Sequence, residues 1–363
     1  MISGKQHSPH YQSGFSLVEI LVGLVIGLLA TLVIMQVFSV FEGQKRTTTG
    51  TADAQTNGSI ALYTIGQEMQ MAGYGLLPAE DSPLECTTLN FDATGITDIS
   101  PVTIIDGGTA AGASDTISIR YATSASGGVP STIGLVGGNA ITIDNNMGCQ
   151  DADIALIVNG ATCNFTTVNP TAPPDLTTVT LQNPAGAING ANLSCLGAWN
   201  VTLFRINPNY DPTDPLNSQA YLERDGAPSV ADIVNIQAQY GISGTANSNL
   251  VTQWVDATGG WAAPTVADRN RIKAVRISVV ARNGLQEKDI VTPLRASGKA
   301  CSSLTATSPV GLCAWDATSA SPTVASPAPE INLTNDPNWQ YYRYRVFETI
   351  IPLRNMIWSK ETL

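Results

Sequence analysis

From Ile20 to Met35 every residue is apolar, glycine or alanine, with Thr31 the single exception. The wider segment Phe15–Phe41 adds only Ser16, Glu19, Gln36 and Ser39 as polar members. At about 1.5 Å per helical residue, roughly 20 to 27 residues cross a hydrocarbon layer of ~30 Å. The run is longer than the ~7–15 apolar residues of an ordinary cleaved secretory signal, and the nearest small-residue stretch, Ala52-Asp53-Ala54, lies well downstream. A helix apolar all the way round offers no polar face to water. The sequence therefore predicts a single membrane-spanning helix rather than a core helix.

Glu19 conflicts with that setting. A carboxylate within a membrane helix costs roughly 2.5–3.5 kcal/mol on insertion scales. Two readings are open. Glu19 snorkels to the interface from its place near the start of the run, or it pairs with a cation at the same depth. No Lys or Arg occurs between Lys5 and Lys45, but a newly made N-terminal amine at Phe15 would supply one.

Composition narrows the chemistry. Charged residues make up 13% of the chain, against about 25% in ordinary soluble domains. Lys and Arg number 18 against 29 Asp and Glu, a net charge of −11, which argues against direct nucleic-acid binding because phosphate recognition needs a basic face. The only histidines are His7 and His10. If that stretch is removed, His-dependent triads and His-ligated metal sites go with it. No catalytic constellation is visible, and the chain reads as a non-enzyme.

Gly14-Phe15-Ser16-Leu17-Val18-Glu19, ahead of the long apolar helix, resembles the class III signal of type IV prepilins. The resemblance implies cleavage after Gly14 by a prepilin peptidase and N-methylation of Phe15. It also implies that Glu19 pairs with the N-terminal amine of a neighbouring subunit, so that two charges costly in lipid neutralise each other only in the right docking register. Lys5 and the initiator amine on one flank balance Lys45 and Arg46 on the other, so the positive-inside rule gives no orientation. The resemblance places residues 1–14 in the cytoplasm as a leader and residues 15–41 across the inner membrane. The remainder lies in the periplasm, and later in a pilus at the cell surface.

The six cysteines, Cys86, Cys149, Cys163, Cys195, Cys301 and Cys313, form no CxxC pair. An even number in an exported domain reads as disulfides. Connectivity stays open among the 15 pairings that six cysteines allow. Proximity favours Cys149–Cys163 and Cys301–Cys313, leaving Cys86–Cys195.

Residues 42–77 lack an internal proline and read as an amphipathic continuation of the helix, ended by Gly73-Tyr74-Gly75. Ile60, Tyr63, Gln67, Met71 and Tyr74 recur at spacings of three and four, and so do Ala61, Ile65 and Met69. Gly43, Gly50, Gly58, Gly66 and Gly73 each cost roughly 1 kcal/mol relative to Ala, leaving a continuous and a broken helix equally open. In residues 78–363, short β-branched runs predict strands at Asp115–Tyr121, Ala140–Asp144, Ile154–Val158, Thr177–Leu181 and Val201–Ile206. Alternation predicts half-buried strands at Ala274–Arg282 and Tyr341–Ile351. Ser124–Gly138, Asn207–Asn217, Gly241–Asn249 and Ser302–Pro329 read as loops. The expected fold class is α+β: a long N-terminal helix packed on an antiparallel sheet, pilin-like, with large loop-rich β insertions.

Two further fragments resemble PilW-type minor pilins. One is Gln67–Gly75, similar to their R-x-AGY-x-G stretch but with Gln70 where Arg is common and Leu76 where the last glycine would fall. The other is Tyr342–Phe347 with Pro352-Leu353-Arg354-Asn355, similar to their closing strand and LRN ending, and Val275–Asn283 fits a third such segment. The resemblance implies a complex of minor pilins that primes pilus assembly and sits at the tip. Its implied partners are prepilin peptidase, other minor and major pilins and the inner-membrane assembly platform, and motility, adhesion and DNA uptake would depend on it indirectly. A J-type minor pseudopilin of type II secretion and a ligand-binding tip adhesin are the rival readings.

Asp144–Asp153 is rich in oxygen ligands, so calcium enters consideration. The sixth position is Cys149 rather than glycine and the twelfth is Ala155 rather than glutamate, so the EF-hand order is absent. Asp211 and Asp214 form a second loop of this kind. Solvated turns account for both, and no cofactor is expected. The basic cluster Arg269, Arg271, Lys273 and Arg276 reads as a salt-bridged strand face.

Overall fold

The computed structural model describes residues 14, 16–76, 86–91, 94–145, 148–170, 176–207, 219–246, 248–292, 312–315 and 328–357. One helix, α1 (Leu17–Met71), precedes the strands, and the chain divides into two compact units, Met1–Gly50 and Thr51–Leu363. After α1 come β1 (Thr88–Asn90), β2 (Val102–Ile105) and β3 (Thr116–Ala122). A block follows of β4 (Ser131–Gly137), β5 (Ala140–Ile143), β6 (Ile154–Asn159), β7 (Thr162–Asn169), β8 (Thr178–Leu181) and β9 (Asn192–Gly197). Then come β10 (Trp199–Asn207), β11 (Tyr221–Arg224), β12 (Ala227–Ala231) and β13 (Ile233–Ser243). The last strands are β14 (Val251–Val255), β15 (Ile272–Arg282) and β16 (Tyr344–Pro352). The α+β expectation of a long helix followed by largely antiparallel sheet holds.

In the first unit, Gly23, Gly27 and Gly43 do not break the helix. Within the apolar run Thr31 Oγ1 donates to Leu28 O (2.9 Å) and Ser39 Oγ to Gln36 O (2.8 Å). These back-bonds satisfy hydroxyl groups that a hydrocarbon environment would leave without partners.

In the second unit the helix buries Ala54, Gly58, Ala61, Ile65, Met69 and Ala72, one residue per turn. The alternative stripe of Ile60, Tyr63 and Met71 stays exposed. The buried stripe shares one core with Ile236, Ala238, Tyr240 and Ile242 of β13, and with Val275, Ile277, Val279 and Ala281 of β15. Side chains alternate across a strand, so these residues form one face of the four-stranded sheet β14-β13-β15-β16. Full burial of Ile65 and Met69 contributes roughly 1.5–3 kcal/mol each. Gly58 is required by close packing, since a Cβ there would overlap the ring of Phe347 on β16, whereas at Gly66 a Cβ would sit 3.8 Å from Ile351 Cδ1.

The five-stranded sheet β12-β11-β10-β3-β2 adds Val102, Ile104, Ile117, Ile119, Phe204, Leu222 and Val230 to the same core. Asp225-Gly226, both at positive φ, make the tight β11–β12 hairpin turn. Asp232 (φ 58°) then turns the chain from β12 into β13, carrying it from one sheet to the next.

Between β3 and β10 the chain inserts a separate body. Strands β4 to β9 pair in the order β7-β6-β9-β4-β5-β8, and β8 pairs back onto β7, closing the ring into a six-stranded barrel. Ile133, Ile141, Ile157, Val179, Leu181 and Leu193 fill its interior. Leu156, Val158, Phe165 and Leu196 point outward and join the main core. Both faces of β6 are thus covered, which explains the continuous apolar run Ile154–Val158.

Several sequence expectations need correction. The barrel pairs Cys86 with Cys163 and Cys149 with Cys195 (Cα–Cα 5.8 and 5.1 Å), rather than Cys149 with Cys163 and Cys86 with Cys195. The reason is strand parity. Cys163 faces out to the main core beside Cys86, whereas Cys195 faces the barrel interior beside Cys149. Cys313 is disulfide-bonded, and Cys301 lies outside the described residues. Ser124–Gly138, expected as loop, contains β4, and Gly241–Ser243, likewise expected as loop, ends β13. Strand β15, expected to be half-buried, is buried at all eleven positions, because Ala314, Trp315, Ile331 and Leu333 cover the face opposite the helix. Asn207 ends β10, while 208–217 of that expected loop, and 302–311 and 316–327 of the last one, lie outside the described residues.

Asp115 ties the loop after β2 to β13. Its carboxylate accepts from Gly107 N (2.9 Å) and Ala238 N (2.7 Å). Burial pushes its pKa up to about 7 against the pull of those two N–H groups. The folded state then holds a proton that the unfolded chain releases near pH 4, so this contribution falls as pH rises from about 4 to about 7. Asp115→Asn should flatten that segment of the stability–pH curve, measured by chemical denaturation. Gly58→Val should cost about 1–3 kcal/mol through overpacking, while Gly66→Ala should be tolerated, which thermal unfolding of the two variants compares.

Candidate functional site

The features that bear on function lie at the two ends of α1. At its start Gly14 is exposed, with nothing near a Cβ built on it, and Phe15 lies outside the described residues. Ser16 caps the helix: its Oγ accepts from Glu19 N (3.3 Å), and its carbonyl accepts from the same N–H (3.0 Å). Ser16-Leu17-Val18-Glu19 has the spacing of a capping box, a signal present in the sequence that the sequence reading passed over. Glu19, in the first turn, is exposed and suits the positive end of the helix dipole. From Leu17 to Phe41 the large apolar side chains are about half or more exposed, Leu17 at 75% and Phe41 at 64%. By length and composition this helix can cross a membrane, and none of its most apolar window is buried within the protein.

At the other end, the two C-terminal-domain fragments singled out in the sequence meet. Gly73 and Gly75 take positive φ (76° and 85°), stopping the helix as left-handed caps do. The turn then pairs with β3: Gly73 N donates to Arg120 O (2.8 Å), and Tyr74 O accepts from Ala122 N (2.8 Å). A Cβ on Gly75 would lie 2.6 Å from that of Ala122, so only glycine allows this approach. Leu353, buried, donates its N–H to Lys273 O (2.9 Å). Asn355 then reaches the helix end, its Nδ2 within 3.0 Å of Ala72 O, 3.4 Å of Met71 O and 3.5 Å of Gln70 O. The LRN segment therefore caps the carbonyls that α1 leaves unsatisfied.

One turn earlier, Glu68 anchors the helix to the five-stranded sheet through Arg224 and Thr202. Gln70, with Tyr63, Gln67, Ile350 and Arg354, lines a cleft of about 380 Å³ between α1 and β16.

The basic cluster is not the salt-bridged face that the sequence suggested. Arg271 pairs with Asp268 (3.0 Å), but Arg269 is buried and donates to Cys86 O (3.2 Å). Lys273 is buried too and donates to Met356 O (3.1 Å). Burial lowers the pKa of Arg269, Lys273 and Arg276. Lys273 and Arg276 are internal because β15, on which both lie, is covered on both faces, while Arg271 stays partly exposed. In the acidic loop, Asp153 Oδ2 accepts from Gln150 N (2.8 Å), while Asn146 and Met147, and the second loop with Asp211 and Asp214, lie outside the described residues. Among the described residues no group of three or more His, Cys, Asp or Glu is placed to hold a metal ion.

Replacing Asn355 with Ala should cost about 1 kcal/mol, the usual net worth of such a hydrogen bond. Asn355→Asp should cost more, because it sets a carboxylate at the negative end of the helix. Thermal unfolding of the full chain measures both.

Residues 217–355 match the family model of Type IV Pilus-assembly protein W, and residues 9–35 match the Prokaryotic N-terminal methylation motif. No curated protein and no solved structure matches the chain. The first match contains the capping segment at Asn355 and the four-stranded sheet, and the second contains Gly14, Phe15 and Glu19. The chain is thus similar to PilW-type pilus-assembly proteins over its C-terminal part and to prepilin-type signals at its N-terminus, ahead of a helix long and apolar enough to cross a membrane.

Proposed function

We propose that this chain is a minor pilin that takes part in priming pilus assembly and sits at or near the filament tip. Prepilin peptidase cuts after Gly14 and methylates Phe15. The apolar helix is stored in the inner membrane and then packs among other pilin helices, with the folded domain outside the cytoplasm. The observation that carries this reading is the uncovered apolar surface of Leu17–Phe41, which holds a single carboxylate, Glu19. Such a surface is stable only in lipid or against similar helices.

Glu19 has a defined task in this reading. Its carboxylate is neutralised by the N-terminal amine of a neighbouring subunit, and a one-turn slip leaves both charges unpaired in an apolar medium. Register follows from that penalty. The sheets and the barrel then select neighbours, and pilus-dependent motility, adhesion or DNA uptake depends on the protein through assembly.

Mass spectrometry of the N-terminal peptide from membranes and from sheared filaments tests the reading. A peptide beginning at N-methylated Phe15 in filaments is the expected result, and an intact Met1 terminus in cells with active peptidase overturns it. Glu19→Ala should leave processing intact but reduce recovery of the protein in filaments and in complexes with other minor pilins. Unchanged recovery removes the register role.

A further inference from the structure

The face of the four-stranded sheet turned away from the helix contains a stacked cation. Gly241 of β13 has no side chain, and the ring of Trp254 lies in the space a Cβ would take, 2.7 Å from that position. From there Trp254 reaches the guanidinium of Arg276 on β15, whose Cζ lies 4.5 Å from one of its ring centroids. The ring of Trp315, on the segment that covers this face, also meets the guanidinium, with its centroid 5.0 Å from Cζ. Arg276 is 2% exposed and both indoles 3%.

Stacking on two indoles uses the faces of the guanidinium but none of its N–H groups. Nε, Nη1 and Nη2 of Arg276 are all enclosed and meet no acceptor among the described residues. The neighbouring polar atoms are in the same condition: the Nε1 of Trp254, the Nε1 of Trp315 and the Oγ of Ser278, which follows Arg276 on the same face of β15. Gln239 is the direct cross-strand partner of Arg276. Its Nε2 is engaged with Asp256 Oδ1 (2.7 Å), which leaves its Oε1 unpaired in this cluster. Glu348 on β16 acts on Arg276 through its field but makes no hydrogen bond to it.

Energetics make this arrangement incomplete. Cation–π contacts offset part of the cost of desolvating the guanidinium, but burying a charge whose hydrogen bonds are unmade costs more than they return. The unmet demand is almost entirely for acceptors with negative charge, presented as two or more oxygens to a planar fork. We propose that the Trp254–Arg276–Trp315 stack is a binding site for a small oxyanion, of carboxylate or phosphate type. The anion accepts from Arg276, and the indole N–H groups and Ser278 supply further donors. Enclosure under Trp315 restricts the occupant to a small ion and excludes a bulky ligand. The site is independent of the membrane helix and of its role in assembly.

The test is titration of the full chain in detergent micelles with sodium phosphate and, separately, sodium acetate, at constant ionic strength. Binding is read by indole emission and calorimetry. Wild type should give a saturable response to at least one of the two, and which one responds distinguishes the phosphate from the carboxylate type. Arg276→Lys, which keeps the charge but not the fork, should bind about tenfold more weakly, equivalent to the loss of about one charged hydrogen bond. Arg276→Met should not bind. Circular dichroism checks folding of each variant; should Arg276→Met not fold, Trp315→Phe, which removes one donor, should weaken binding by a smaller factor. No saturable response in wild type, or an equal response in a folded Arg276→Met, overturns the proposal.

Discussion

The contact of α1 with the four-stranded sheet is the constraint on which the folded domain depends. The helix reaches the sheet through small residues, Ala54, Gly58 and Ala61, before the larger Ile65 and Met69. Phe347 fills the space that Gly58 leaves. A side chain at position 58 would hold the helix off β16 and open the core on which both sheets converge. The local cost of a helical glycine, about 1 kcal/mol, is offset by the interface it permits.

The same helix end organises the rest of the domain. Its last carbonyls receive Asn355, its terminal turn pairs with β3, and Glu68 reaches β10 and β11. Segments almost three hundred residues apart in sequence thus converge on one turn of helix. That convergence gives the AGYG and LRN fragments a physical meaning: the glycines allow backbone to approach backbone, and the asparagine amide completes hydrogen bonds that a helix cannot make for itself. The barrel leaves and re-enters the five-stranded sheet through the adjacent strands β3 and β10, so it is an insertion that leaves the rest of that sheet intact. It lies outside the residues that match the family model.

Electrostatics follow enclosure rather than sequence proximity. Arg269, Arg271, Lys273 and Arg276 are close in the chain, yet they reach a carbonyl near the barrel, a neighbouring carboxylate, the C-terminal helix turn and an indole stack respectively. Alternation along β15 sends Lys273 and Arg276 to opposite faces of the sheet, and cover on both faces removes the water that would otherwise solvate them.

The sequence alone determined the features that depend on local composition. These were the apolar helix with its glutamate, the prepilin-type signal, the α+β class and the strands with clear alternation, such as β15 and β16. Their signals lie within a few residues of one another, where hydrophobic periodicity is legible. Strand β13 was equally legible, since Ile236, Ala238, Tyr240 and Ile242 alternate with Asn235, Gln237 and Gln239, and shorter alternations run through β7 (Cys163 and Phe165 with Asn164 and Thr166) and β9 (Leu193 and Cys195 with Asn192 and Ser194). The Asp225-Gly226 turn was readable and passed over. Tertiary structure decided which of two helical stripes is buried, because both have the right spacing and only Gly58 and its neighbours fit Phe347. It also decided the disulfide pairing, because strand parity in a closed barrel places Cys163 and Cys195 on opposite faces, and the fate of Arg276, because its cover comes from a distant segment. Long-range pairing selects among patterns that are locally equivalent.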